Sequence, residues 1–96
     1  MIICKVIGHV WATKKEESLS GIKMMVVKEV ESTEKSGSVF VAADVVGAGI
    51  GERVLVVSGS TARRALGNDN IPVDCTIVGI IDSIEVDREK AGQTSK

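Results

Sequence analysis

Ninety-six residues, with twelve basic and thirteen acidic side chains and a net charge of −1, describe one small domain with no room for a second core. The charges are scattered, so no basic stripe offers an electrostatic footprint to nucleic acid or anionic lipid. Lys5 interrupts an apolar start that has no basic n-region, and no run approaches the length of a membrane span, so neither a signal peptide nor a membrane partner is expected.

The chain is 44% hydrophobic and its mean hydropathy is +0.21, apolar for so small a protein. Valine and isoleucine number twenty-five against three leucines. Stiff β-branched side chains suit a pleated surface, so the expected class is all-β with little helix. The apolar surplus also points to a surface for self-association.

In chain order, residues 2–12 alternate as a strand, with Ile2, Cys4, Val6 and Val10 on one face and Lys5, His9 and Trp11 on the other. A charged connection, Thr13–Ser18, leads through Ser20-Gly21 to a second strand within Leu19–Val30. Glu31–Ser38 reads as a hairpin loop, and Val39–Val46 as the third strand. Gly47, Gly49 and Gly51 form a bend, followed by a fourth strand over Glu52–Ser58. Residues 60–66 are the one expected helix, with Ser60 as N-cap and Gly67 as the stop. Cys75–Val86 is the fifth strand, with a bulge or bend at Gly79. Five strands and one short helix suggest a small barrel, whose closure removes exposed edges.

The glycine bend imitates a phosphate loop. The dinucleotide fingerprint needs G-x-G-x-x-G opening a helix, so that the helix N-terminus faces the pyrophosphate. Here the third glycine comes one residue early, and Val54-Leu55-Val56-Val57 continues as a strand. The glycines therefore serve backbone geometry, and no cofactor is expected.

No catalytic constellation can be assembled either. His9 is the single histidine and lies in an apolar strand, so no metal site is expected. Ser60, in Gly59-Ser60-Thr61, does not sit in a nucleophile elbow. Asp44, Asp74 and Asp82 flank apolar runs, where turn and edge aspartates ordinarily sit. Cys4 and Cys75 lack C-x-x-C spacing and read as buried reduced thiols of a cytosolic protein, with a disulfide as the alternative reading. The alternative function, an OB-like module binding single-stranded nucleic acid or a small ligand, needs aromatic stacking platforms in a positive groove. One Trp (Trp11), one Phe (Phe40) and no Tyr argue against nucleic acid as a partner. Trp11 reads as either a core or an interface residue.

Three blocks, in order, carry a family resemblance. They are Val6-Ile7-Gly8-His9-Val10-Trp11-Ala12-Thr13 leading into Leu19–Val27, then Ala43–Glu52 with Val54-Leu55-Val56 and Gly59-Ser60-Thr61-Ala62-Arg63, and finally Val73–Asp82. Together they resemble the EutN/CcmL family of pentameric vertex proteins of bacterial microcompartment shells, across roughly residues 1–86. The resemblance implies an OB-like five-stranded barrel over 1–86 with a polar tail at 87–96, assembling as a cyclic homo-pentamer. It implies a cytoplasmic, non-enzymatic shell protein whose partners are hexameric shell proteins. The expected subunit interface comprises Gly47, Ala48, Gly49, Gly51, Gly59, Ser60 and Arg63, the most distinctive residues that no chemistry explains.

Overall fold

The valine- and isoleucine-rich runs form five strands: β1 (Ile2–His9), β2 (Lys23–Glu29), β3 (Val39–Asp44), β4 (Arg53–Ser58) and β5 (Cys75–Ile81). The structure is a computed structural model that describes residues 1–12, 15, 17–30, 37–68 and 70–82. The strands close into a barrel in the order β1-β2-β3-β5-β4, and one helix, α1 (Gly59–Ala65), sits between β4 and β5. Neighbours are antiparallel except β3 and β5, which run parallel and pair only at Ala43–Thr76 and Asp44–Ile77. This is the OB-like all-β barrel with one short helix that the sequence implies.

The barrel interior is filled by Cys4, Val6, Met25, Val27, Ala42, Ala48, Val54, Val56 and Ile77. A second, smaller cluster lies outside the barrel. There Ala43, Ile71 and Val73 pack with Leu19, Ile22 and Leu66. Ala42 and Ala43 are both buried because successive strand residues face opposite sides, and both sides are covered at this point.

β1 departs from simple alternation. Val6 lies opposite Val27 but Gly8 lies opposite Val26, so Ile7 is an inserted bulge residue. One extra residue swaps every following side chain to the other face. His9 therefore lies opposite the buried Met25 instead of sharing the face of Lys5, and Val10 is not on the face of Val6. The strand also ends at His9, short of the expected residue 12. β2 begins only at Lys23, because Glu17–Leu19 form a 3-10 turn closed by Ser20 N–H donating to Glu17 O at 2.9 Å. A second bulge places Leu55 opposite Gly79 and Val56 opposite Ile77, making Val78, next to the expected Gly79, the extra residue.

The helix starts one residue earlier than expected. Ser58, not Ser60, holds the N-cap position, and no side chain caps the helix. The Gly59 N–H donates to Asp74 O at 2.8 Å instead, so the strand entering β5 does part of a cap's work. Gly67, at φ +77, ends the helix, with its N–H on Arg64 O and the Asn68 N–H on Arg63 O. The β2–β3 hairpin closes through Glu29 N–H to Ser38 O at 2.9 Å. Its loop at 31–36, the expected continuation of the last strand to residue 86 and the tail at 87–96 lie outside the described residues.

Candidate assembly surface

The glycine bend between β3 and β4 is built around one carboxylate. Asp44, at the end of β3, is 9% exposed. Its Oδ1 accepts from Val46 N–H at 3.0 Å and Gly47 N–H at 3.1 Å, and its Oδ2 from Ala48 N–H at 2.8 Å. Lys23, its register partner on β2, places Nζ 3.8 Å from Oδ2 and donates to Ala48 O at 3.3 Å. A second carboxylate fixes the next turn. Glu52 Oε1 accepts from Gly49 N–H at 2.6 Å, and Glu52 N–H returns to Gly49 O at 3.1 Å. Val6 on β1 then ties the loop to the barrel, its carbonyl accepting from Gly51 N–H and its N–H donating to Glu52 O.

Two of the three glycines are required by dihedral angle. Gly47 and Gly51 have φ of +80 and +93, which L side chains rarely adopt. Gly49 has no positive φ, and a Cβ there would meet only the Glu52 carboxylate, with Oε1 nearest at 3.2 Å.

This hydrogen-bond pattern differs from that of a phosphate loop. An anion nest needs free backbone N–H groups. Here the N–H groups of residues 46, 47 and 48 are bound by Asp44, residue 49 by Glu52 and residue 51 by Val6. The chain after the glycines is β4, not a helix. Among the described residues, no three His, Cys, Asp or Glu side chains cluster as a metal site would need. His9 stacks on Trp11 with ring centroids 5.2 Å apart, and Trp11 is 87% exposed. Phe40 packs against the interior core, so no aromatic platform spans a groove. Burial pushes the Cys4 thiol up to about 11, with Glu29 and Cys75 adding to it. Cys75 is likewise pushed up by burial and by Asp74, so neither is a thiolate nucleophile at neutral pH.

The expected interface residues separate into groups. Gly47, Gly51, Gly59 and Ser60 are exposed, and Gly49 and Arg63 are half-buried. The Ala48 side chain is fully buried in the barrel's own core, so it fixes the loop from inside and is not available to a neighbour. Beside them, Val45, Val46 and Ile50 are exposed apolar residues on the loop. Sequence reasoning missed Lys23 and Glu52 as loop anchors. Glu52, three residues after Gly49, carried a local signal; Lys23 carried none, because only strand pairing brings it to Asp44.

Comparison with known proteins adds to this geometry. The family model described as "Ethanolamine utilisation protein EutN/carboxysome" matches residues 1–82. A bacterial microcompartment shell vertex protein, GrpN, from Rhodospirillum rubrum is 49% identical over 88 residues, covering 88% of this chain and 97% of the relative. A carboxysome shell vertex protein, CcmL, from Synechocystis is 42% identical, covering 90% of this chain and 87% of the relative. Among solved structures, Nostoc CcmL superposes with a TM-score of 0.80 at 44% identity, covering 90% of this chain and 94% of that one. The GrpN pentameric microcompartment shell protein from R. rubrum gives 0.74 at 45% identity, covering 90% and 98%.

Proposed function

The chain belongs to the EutN/CcmL family, and on that premise we propose that it is a structural shell protein, a vertex of a bacterial microcompartment within the cytoplasm. The carrying observation is that the family match at residues 1–82 spans the whole described barrel, the carboxylate-bound glycine loop included. Most of the loop's backbone N–H groups are already bound within the chain, which supports a construction that serves a shape. No finding favours the nucleic-acid or small-ligand alternative.

The shape is a homo-pentamer. Flat hexagonal tiles cover a plane but cannot close a polyhedron without five-fold corners. A five-membered ring closes through heterologous contacts, in which one patch meets a different patch on the next copy. Hexameric shell proteins are the partners that surround such a corner. Gly47, Gly49, Gly51, Gly59, Ser60 and Arg63 belong to the contact region, with Ala48 holding the loop in place from within.

Native mass spectrometry gives the test of assembly: a five-subunit species is expected, and a stable monomer or dimer at working concentration would sink the reading. Co-expression with hexameric shell proteins tests the role. Shells should fail to close without this chain, and equal closure in its absence would place its function elsewhere.

A further inference from the structure

The outer edge of β3 is only partly paired. The parallel β3–β5 ladder stops at Ala43–Thr76. Upstream of Thr76, Pro72 has no N–H to give, and the Val73 N–H turns back onto Ile71 O at 2.8 Å. The free edge of β3 over residues 39–42 therefore carries no ladder pairing to β5 among the described residues. Beside it opens a groove of about 320 Å³, walled by Leu19, Met24, Val41, Ala43, Pro72 and Val73, with Asp74 and Cys75 completing the lining. Val41 is 47% exposed on its rim, and Val39, further along the strand, is 57% exposed.

The same chain carries a convex counterpart elsewhere. Val45, Val46 and Ile50 project from the glycine loop, Ile50 with 64% of its surface exposed. The Asp44 and Glu52 carboxylates already fix that backbone, so little conformational entropy remains to be lost when it docks. A closing ring requires just such a pair, one patch that receives and a different one that inserts. The projecting side chains are apolar and the groove is mostly so, with room for a few branched aliphatic side chains.

We propose that the groove beside β3 receives the Val45–Ile50 loop of a second copy of this chain, and that this contact is the repeated joint of the ring. The inference rests on the pentamer reading. Its test uses two variants of the full chain, Val41→Asp in the groove and Ile50→Asp on the loop, with folding checked by far-UV circular dichroism. Native mass spectrometry is expected to show five subunits for the unmodified protein and loss of that species for each variant alone. An equimolar mixture is expected to give a one-to-one dimer, because the intact loop of the Val41→Asp chain fits the intact groove of the Ile50→Asp chain. Should a charge unfold the barrel, Val41→Ser and Ile50→Ser carry the same test, with the mixed dimer still deciding. Variants that remain pentameric, or monomeric variants whose mixture stays monomeric, overturn the inference and leave the pentamer standing. An unmodified chain that forms no pentamer overturns the pentamer itself, and this joint with it.

Discussion

The two faces of β2 and β3 differ in burial but hardly in composition. Met25, Val27 and Ala42 face the barrel interior and are at most 1% exposed. Their chain neighbours Met24 and Val26 are half-buried on the outer face, where Val41, the register partner of Val26, is largely open. Inside, five strands converge on one small space and the core is complete. Outside, the Leu19–Ile22 and Ile71–Val73 arms cover Ala43 and stop there. An outer face that is apolar yet only partly covered by its own chain is one built to meet another chain.

Adjacent methionines give the sharpest contrast. Met25→Ala empties a fully buried position and is expected to cost about 3 kcal/mol, the usual range for a core methionine. Met24→Ala removes a side chain from the open groove and is expected to cost less than about 1 kcal/mol of folding stability. Urea titrations at a dilution where the chains are monomeric measure both, so that the subunit joint does not contribute. Equal losses would mean that the two faces are equally closed, and the contrast would fail.

Asp44 comes next. Asp44→Ala leaves three loop N–H groups without their acceptor and Lys23 without its partner. Because the loop can partly re-solvate, the expected loss is about 2 kcal/mol. Faster hydrogen exchange at the Ala48 amide should accompany it. Unchanged exchange there would show that the carboxylate does not organise the loop.

Much of this arrangement was legible in the sequence. Alternation, β-branched content and turn residues place all five strands, and Gly67 marks the helix end. The outer–inner assignment of Met24-Met25-Val26-Val27 was not legible. An unbroken apolar run gives no period-two signal, so only the barrel's closure decides which residues turn inward. The bulge at Ile7 was equally silent, since Val6-Ile7-Gly8 fits a regular strand as well as a kinked one. Its cost to the reading was the placement of His9 and Val10. The helix start was misplaced because Ser60 carries a capping side chain, whereas the Gly59 amide is satisfied by Asp74, a residue fifteen positions away. Of the interface expectation, Ala48 could not have been separated from its glycine neighbours, because its burial follows from how Asp44 folds the loop inward.

The glycines rank below Asp44. Gly51→Ala forces a side chain into φ +93 and is expected to cost about 1–2 kcal/mol. Gly49→Ala meets only the movable end of Glu52 and is expected to stay within about 0.5 kcal/mol. Thermal melts of the two variants decide between them. A Gly49→Ala loss matching that of Gly51→Ala would show that the close approach of Glu52, and not the dihedral angle, governs this bend.

The smallest effect belongs to Val26→Thr. Val26 stands on the outer face between Gly8 on β1 and Val41 on β3. Threonine keeps the β-branched shape that a strand favours, and at this half-buried site its hydroxyl can reach water. Folding stability should therefore move by no more than about 0.5 kcal/mol. The decisive comparison is the urea midpoint at two protein concentrations. If Val26 lies beyond the subunit joint, the small change is the same at both. A loss that is present where the pentamer forms and fades where the chains are dilute enough to be monomeric would mean that the neighbouring copy also covers Val26, because only an interface residue couples stability to association. The joint would then extend across the sheet from Val41 to β1.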